Sequence, residues 1–190
     1  TLTYHSLKSY LPASQRSFAD VWNAGLTGGK IYFRCTDRIM AIDTAQGVRK
    51  SVVYPAPSEW VYMACVTGGV LAQDRQQGLL MYSQGKWVVL AQAAFKDKVI
   101  TAIVETADAG YLITTLKQGV WLLKAGKLTH LALPESIAAA HIYTASPIND
   151  HEYALGTTSD GVYIIEISQG FNKRTVQGKV VRHFDSDTRL

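Results

Sequence analysis

The stretch YALGTTSDGVYIIE, Tyr153 to Glu166, reads as two apolar runs joined by a short polar turn, with Gly161 opening the second run. The same arrangement recurs upstream. Gly119 precedes Val120, Trp121, Leu122 and Leu123, and Gly78 precedes Leu79, Leu80, Met81 and Tyr82. The three glycines stand 41 and 42 residues apart, and a further step of 40 reaches Arg38, which precedes Ile39 to Ile42 but is not glycine. Self-similarity at a fixed period of this size marks a repeat architecture.

The flanks keep the register. Another strand-like run begins about eight residues before each anchor, at Lys30, Val70, Tyr111 and Tyr153. After each anchor run a turn leads into a further short strand: GKWVVL from Gly85, GKLTHLAL from Gly126, GVRKSVVY from Gly47, and GKVVRHF from Gly178, the last displaced by an insertion around Phe171 to Gln177. Each unit also has a preceding strand, FADVWNA from Phe18, WVYMACV from Trp60, VITAIVE from Val99 and IYTASPI from Ile142. Helical periodicity is confined to a short stretch from Glu135 to Ala140.

Four short strands in about 40 residues is the content of a propeller blade, a four-stranded sheet whose bare apolar faces are buried by stacking on neighbouring blades. The fold class expected is therefore all-β, a β-propeller segment of about four four-stranded blades belonging to a larger propeller of about six to eight. A sandwich or barrel is the alternative, but it gives no constant period. The blades run over Phe18 to Tyr54, Trp60 to Leu90, Val99 to Leu133 and His141 to Phe184. Residues 1–17, with LTYHSLKSYL, read as the outer strand of a preceding blade and a linker, and DSDTRL at the end sits where a next inner strand would begin. Innermost strands buried on both faces should be nearly continuously apolar, as VITAIVE and WVYMACV are. Open blade faces at either end would invite self-association.

Composition narrows the function. Hydrophobic residues make up 47% of the 190 and charged residues 18%, which excludes disorder driven by charge. The net charge of +4 is spread along the chain, with no basic stripe of the kind a phosphate backbone needs, so nucleic acid is not an expected partner. No apolar run approaches the ~20 residues that span a bilayer. The chain begins with Thr, which suggests a processed or excised piece, so any membrane link lies in other parts of a parent protein. Cys35 and Cys65 read as two buried thiols.

Chemistry-bearing motifs are few. The TGG pairs at Thr27 to Gly29 and Thr67 to Gly69 recur one blade apart and read as hairpin turns rather than phosphate loops. His5, His130, His141, His151 and His183 show no metal-ligand spacing, and no nucleophile elbow occurs, so no catalytic residue, metal or cofactor is expected. Ligand recognition is the open role. Loops between second and third strands, and those between blades, share one face. That face would present Arg38, Trp60, Asp74, Arg75, Lys117 and Glu135 to an oligosaccharide or other small polar ligand. Trp22, Trp87 and Trp121 lie within apolar runs and are assigned to the core.

YALGTTSDGVYIIE with GKVVRHFDSDTRL closely resembles a blade of the two-component regulator propeller, and FADVWNA with GGKIYFRCTDRIMAID looks like a looser copy. Gly156, Thr157, Gly161, Val162 and Tyr163 match the family's Gly-Thr, gap, Gly, apolar-aromatic pattern, whereas Thr114-Thr115 and Ala72-Gln73 replace the Gly-Thr pair in the middle blades. The resemblance implies a periplasmic sensor region of a membrane-bound, often hybrid, histidine kinase of Bacteroidetes, or of a related regulator with a DNA-binding tail. Such regions precede a triple-tyrosine domain, and their typical signal is a carbohydrate. A phosphoacceptor histidine motif is lacking, so the segment itself is expected to be no enzyme. The alternatives are a protein-interaction scaffold propeller and a fragment of a propeller glycoside hydrolase or lyase.

Overall fold

The computed structural model describes residues 3, 6–18, 20–43, 50–167 and 176–185. Among them the chain forms four antiparallel sheets, each of four strands consecutive in sequence. The first holds β1 (Asn23–Thr27), β2 (Lys30–Arg34), β3 (Arg38–Asp43) and β4 (Ser51–Pro55). The second holds β5 (Trp60–Val66), β6 (Gly69–Asp74), β7 (Gly78–Ser83) and β8 (Lys86–Ala91). β9 (Ile100–Glu105), β10 (Tyr111–Thr115), β11 (Val120–Lys124) and β12 (Lys127–His130) make the third. β13 (Ile142–Pro147), β14 (Glu152–Thr157), β15 (Val162–Ile167) and β16 (Gly178–Phe184) make the fourth. Short helices α1 (Gln92–Phe95) and α2 (Glu135–Ala138) lie in the connections after the second and third sheets. The chain divides into two compact units, Thr1–Lys96 and Asp97–Leu190, each with two sheets.

In the first unit β1 lies beside β5. Side chains stitch the two sheets there: Asn23 Nδ2 donates to the Met63 carbonyl at 2.6 Å, and Thr27 Oγ1 to that of Val66 at 2.8 Å. Tyr32, Ile39 and Ala41 of the first sheet pack on Trp60, Met63, Val70, Ala72 and Leu80 of the second. Tyr54, Tyr82 and Trp87 extend this core with ring centroids 4.7–5.9 Å apart. In the second unit β9 lies beside β13, and Val104, Leu112 and Val120 pack on Ile142, Tyr153, Leu155 and Ile165. Each large side chain fully buried in these seams contributes about 1.5–3 kcal/mol of transfer free energy. Adjacent sheets meeting at their first strands, face on face, is blade packing.

The repeat's anchor glycine has a local cause. Gly78, Gly119 and Gly161 all have left-handed φ, at 74°, 72° and 66°. Each closes a three-residue loop between the second and third strands, a geometry that calls for a left-handed residue at its end. At Gly161 a Cβ would stand 1.9 Å from the Phe184 carbonyl oxygen, so glycine is required twice over. In the first sheet Cys35 N donates to the Arg38 carbonyl, which leaves a two-residue loop, and Arg38 needs no positive φ. The copy without glycine is the copy with the shorter loop.

Five expectations are corrected. Residues 7–10 and 13–15 form 3-10 turns rather than an outer strand, because Pro12 lacks the N–H a ladder needs while Leu11 folds into the core beside Cys35 and Met40. The first blade's inner strand begins at Asn23, not Phe18. First strands are not the most buried ones: β5 buries every third residue and β13 is largely exposed, whereas β6 and β10 are almost wholly buried. A second strand has a hydrogen-bonded neighbour on both edges and a sheet on its face, while a first strand is an edge. Trp22 is 62% exposed, and Cys65 is only partly buried. Gly47, the insertion from Phe171 to Thr175, residues 186–190 and His5 lie outside the described residues.

Candidate functional site

Within each unit the loops between second and third strands and the connections between sheets gather at one end. Backbone bonds hold them: Trp60 N to the Thr36 carbonyl, Ala56 N to Asp37, Arg75 N to Glu59, Leu116 N to Val99, and Thr158 N to His141, all 2.8–3.0 Å. The six residues expected at this end divide between the two units. Arg38, Trp60, Asp74 and Arg75 belong to the first unit, Lys117 and Glu135 to the second.

Two of the six are structural. Trp60 is 1% exposed and donates its indole N–H to the Tyr54 carbonyl at 3.4 Å. Asp74 is fully buried, and its carboxylate accepts from Ser58 N, Ser58 Oγ, Glu59 N, Gln76 N and Gln77 N at 2.8–3.0 Å. Burial alone would raise the Asp74 carboxyl, but the bonds from Gln77, Ser58 and Gln76 outweigh it and hold the group below the usual carboxylate range. A ligand on the surface reaches neither side chain.

The others stand nearer the surface. Arg38 pairs with Asp37 through Nε at 2.9 Å and Nη2 at 2.6 Å. Arg75 forms a two-pronged pair with Glu59, and that bond lowers the Glu59 carboxyl. Lys117 and Glu135 are exposed. Trp22, assigned to the core by its apolar neighbours, instead lies at this end with Nε1 donating to Thr36 Oγ1 at 3.2 Å.

In the second unit Lys117 lines a cleft of about 510 Å³ with Gln118, Trp121, His130, Leu133 and Ala138. Register explains the wall: Trp121 on β11 faces His130 on β12 across the ladder, with ring centroids 4.6 Å apart. Trp121 Nε1 donates to the Gln118 carbonyl at 3.1 Å, and His130 Nε2 reaches the same oxygen at 3.3 Å. A carbonyl only accepts, so His130 carries a proton on Nε2. Sequence reasoning misses both rings, since Trp121 stands in an apolar run and His130 shows no metal-ligand spacing. The cross-strand pairing was the signal available.

The last blade repeats the pattern. His183 stacks on Tyr163 at 4.0 Å and bonds the Asp160 carbonyl at 2.8 Å, while the Tyr163 hydroxyl donates to the Asp160 carboxylate. That bond pushes the Tyr163 phenol up to about 12, so it stays protonated at neutral pH and is no base. Thr157, of the Gly-Thr pair, turns out to be a loop clamp: its hydroxyl donates to the Gly161 carbonyl and accepts from Asp160 N, both at 2.9 Å. Thr115 does the same for Gly119 and Gln118. The counterpart in the second blade is Gln73-Asp74, four residues before Gly78, and not Ala72-Gln73. Among the described residues no group of three His, Cys, Asp or Glu is placed to hold a metal, and no helix is long and apolar enough to cross a membrane.

No family model matches the chain, and no curated protein matches it. Solved structures do. The Cps50 (Swd1) β-propeller domain of Myceliophteria thermophila superposes with a TM-score of 0.64 at 16% identity, over 87% of this chain and 60% of that one. The extracellular domain of a protein described as a hybrid two-component system of B. thetaiotaomicron gives 0.62 at 18% identity, over 90% of this chain and 25% of that one. The extracellular domain of a second protein of that organism, described as a one-component system, gives 0.65 at 14%, over 93% and 24%. The chain thus spans about three-fifths of the first and a quarter of the other two. At these identities the likeness establishes the fold: the chain is a run of four-stranded β-propeller blades.

Proposed function

We propose that this chain is a non-catalytic, ligand-sensing run of propeller blades in the extracytoplasmic, periplasmic part of a two-component signalling receptor, responding to a carbohydrate-type or other small polar signal. The carrying observation is the loop-end cleft of the second unit, where Lys117, Trp121 and His130 converge on a preformed concavity of ligand size. Likeness to two extracellular domains of bacterial signalling systems supports the setting. Lys117 is the contact proposed first. Glu135, and at the loop end of the first unit Arg38 and Arg75, are further candidate contacts. Binding that favours one of two arrangements of the receptor would carry the signal onward, and only a differential affinity for those arrangements can do so.

The test is a thermal-shift screen of the chain against oligosaccharides and small polar metabolites, repeated on Trp121→Ala. A ligand binding only the folded state must raise the melting temperature. A shift with one ligand class, lost in the variant, is the expected result; no shift with any class, or one indifferent to Trp121, would refute the assignment of the site. A second reading, an interaction scaffold, is favoured by an apolar groove of about 430 Å³ in the first unit lined by Leu11, Phe18, Val21, Phe33 and Met40. Self-association through that face would appear as a dimer or larger species in light scattering.

A further inference from the structure

We propose that the Lys117–Trp121–His130 cleft takes a carboxylate joined to a ring with an apolar face, and rejects neutral, hydroxyl-rich ligands of the same size. The inference rests on the sensor reading for its location and goes beyond it in the chemistry. The sign of the charge comes first. The described lining includes the cation Lys117 and no carboxylate, and Lys98 Nζ stands 5.4 Å from the centroid of the Trp121 ring. The carboxylates nearest in sequence, Asp97 beside Lys98 and Glu135 on α2, do not line the cleft. A concavity with one sign of charge and low-dielectric walls concentrates the opposite sign.

The supply of hydrogen bonds comes second. A neutral sugar is recognised by many aimed donors and acceptors, and here most are spent internally. Trp121 Nε1 and His130 Nε2 both turn to the Gln118 carbonyl. Leu131 N donates to the Val120 carbonyl and Ala132 N to that of Val176. What lines the cleft is then the rings of Trp121 and His130, the apolar side chains of Leu133 and Ala138, the Gln118 amide and the cation Lys117. A hydroxyl-rich ring would find one side-chain amide for its many polar groups and leave the rest unpaired against such walls. An amphipathic anion matches both features, with its ring on the apolar wall and its carboxylate in a charge-assisted bond to Lys117.

Two sources of that chemistry are separable, an acidic sugar and an aromatic acid. The experiment is calorimetric titration of the full chain with digalacturonate and phenylacetate, each against its neutral counterpart, galactobiose and phenylacetamide. At least one acid is expected to bind about tenfold or more tightly than its counterpart. Lys117→Gln should abolish that preference, and raising NaCl from about 0.05 M to about 0.5 M should weaken the acid severalfold. Ala138→Tyr fills the cleft from an exposed position and should remove binding with the melting temperature unchanged. Binding of digalacturonate alone identifies an acidic sugar, and of phenylacetate alone an aromatic acid. If galactobiose binds as well as digalacturonate, and Ala138→Tyr removes both, the sensor site stands and the charge inference falls. If nothing binds, or binding survives Ala138→Tyr, both fall.

Discussion

Replacing Asp74 tests the central reasoning about these loops, because its carboxylate is the buried one of several ties between a hairpin loop and the connection between two sheets. One oxygen accepts from Ser58 Oγ, Gln76 N and Gln77 N, the other from Ser58 N and Glu59 N. In Asp74→Asn the amide oxygen retains the first set, while its NH2 group confronts the Ser58 and Glu59 N–H groups with another donor. Two backbone donors lose their acceptor at a fully buried site, at about 1–3 kcal/mol each, so a loss of at least about 2 kcal/mol is expected. Asp74→Ala strands all the donors and should reach about 4–5 kcal/mol, the range reserved for broken buried networks. The pH dependence has a definite sign. The folded carboxyl lies below its unfolded value of about 3.9. Its stabilisation is therefore complete above about pH 4 and is lost as pH falls towards the folded value. The gap between wild type and Asp74→Asn should narrow in that acid window. Urea denaturation read by hydrogen-exchange mass spectrometry on peptides within Lys50 to Ala91 isolates the first unit. A gap under about 0.5 kcal/mol at neutral pH, or one unchanged at about pH 3, would refute the argument.

Other outcomes follow from single positions. Gly161→Ala places a methyl against the Phe184 carbonyl at positive φ and should cost more than about 3 kcal/mol, whereas Gly28→Ala, with φ 55° and open space, should cost only about 1–2 kcal/mol in thermal melts. Ala125 holds φ 48° at an exposed turn beside Gly126, so Ala125→Gly or Ala125→Asn should raise stability by about 0.5–1 kcal/mol. Burial pushes the Cys65 thiol up to about 11. Its alkylation by iodoacetamide should be far slower than that of a free thiol at about pH 8, rising about tenfold per pH unit until near that value; a rate already level at pH 9 would contradict the burial.

Period and turn chemistry were legible in the sequence because both are local. Three glycines at left-handed φ announced three hairpins of the same length, and the intervals between them set the blades. The absence of glycine at Arg38 was legible too, although its cause, a loop one residue shorter, became clear only from the Cys35 to Arg38 bond. Burial was legible only in part. Asp74 and Trp60 sit beside loops, where a polar or aromatic residue reads as exposed. Both are interior, because loop N–H groups need an acceptor and sheet seams need a large ring. Trp22 erred the other way: its apolar neighbours suggested a strand, yet the ladder starts one residue later, at Asn23. Which face of a strand another sheet covers is a tertiary fact, and alternation within one strand does not carry it. For the same reason the Trp121–His130 pair, nine residues apart, emerged only from the register of β11 on β12.

What repeats from blade to blade is a mechanical role more than a residue. Asp74, Thr115 and Thr157 end their strands four residues before the left-handed glycine, and each accepts the N–H of the residue three further on. In the second unit a histidine from the fourth strand takes the carbonyl of that same residue, Gln118 or Asp160, so each loop is tied from both sides. In the first unit Asp74 replaces the histidine's share by reaching the connection at Ser58 and Glu59. Carboxylate and hydroxyl are thus interchangeable here, because the loop asks only for an acceptor at a fixed place, and the Gly-Thr pair is one solution among those the chain uses. Loops fixed in this way lose little conformational entropy when a ligand meets them. On the proposed sensor reading, side-chain identity at the rim sets which ligand is read, and the clamps beneath stay the same.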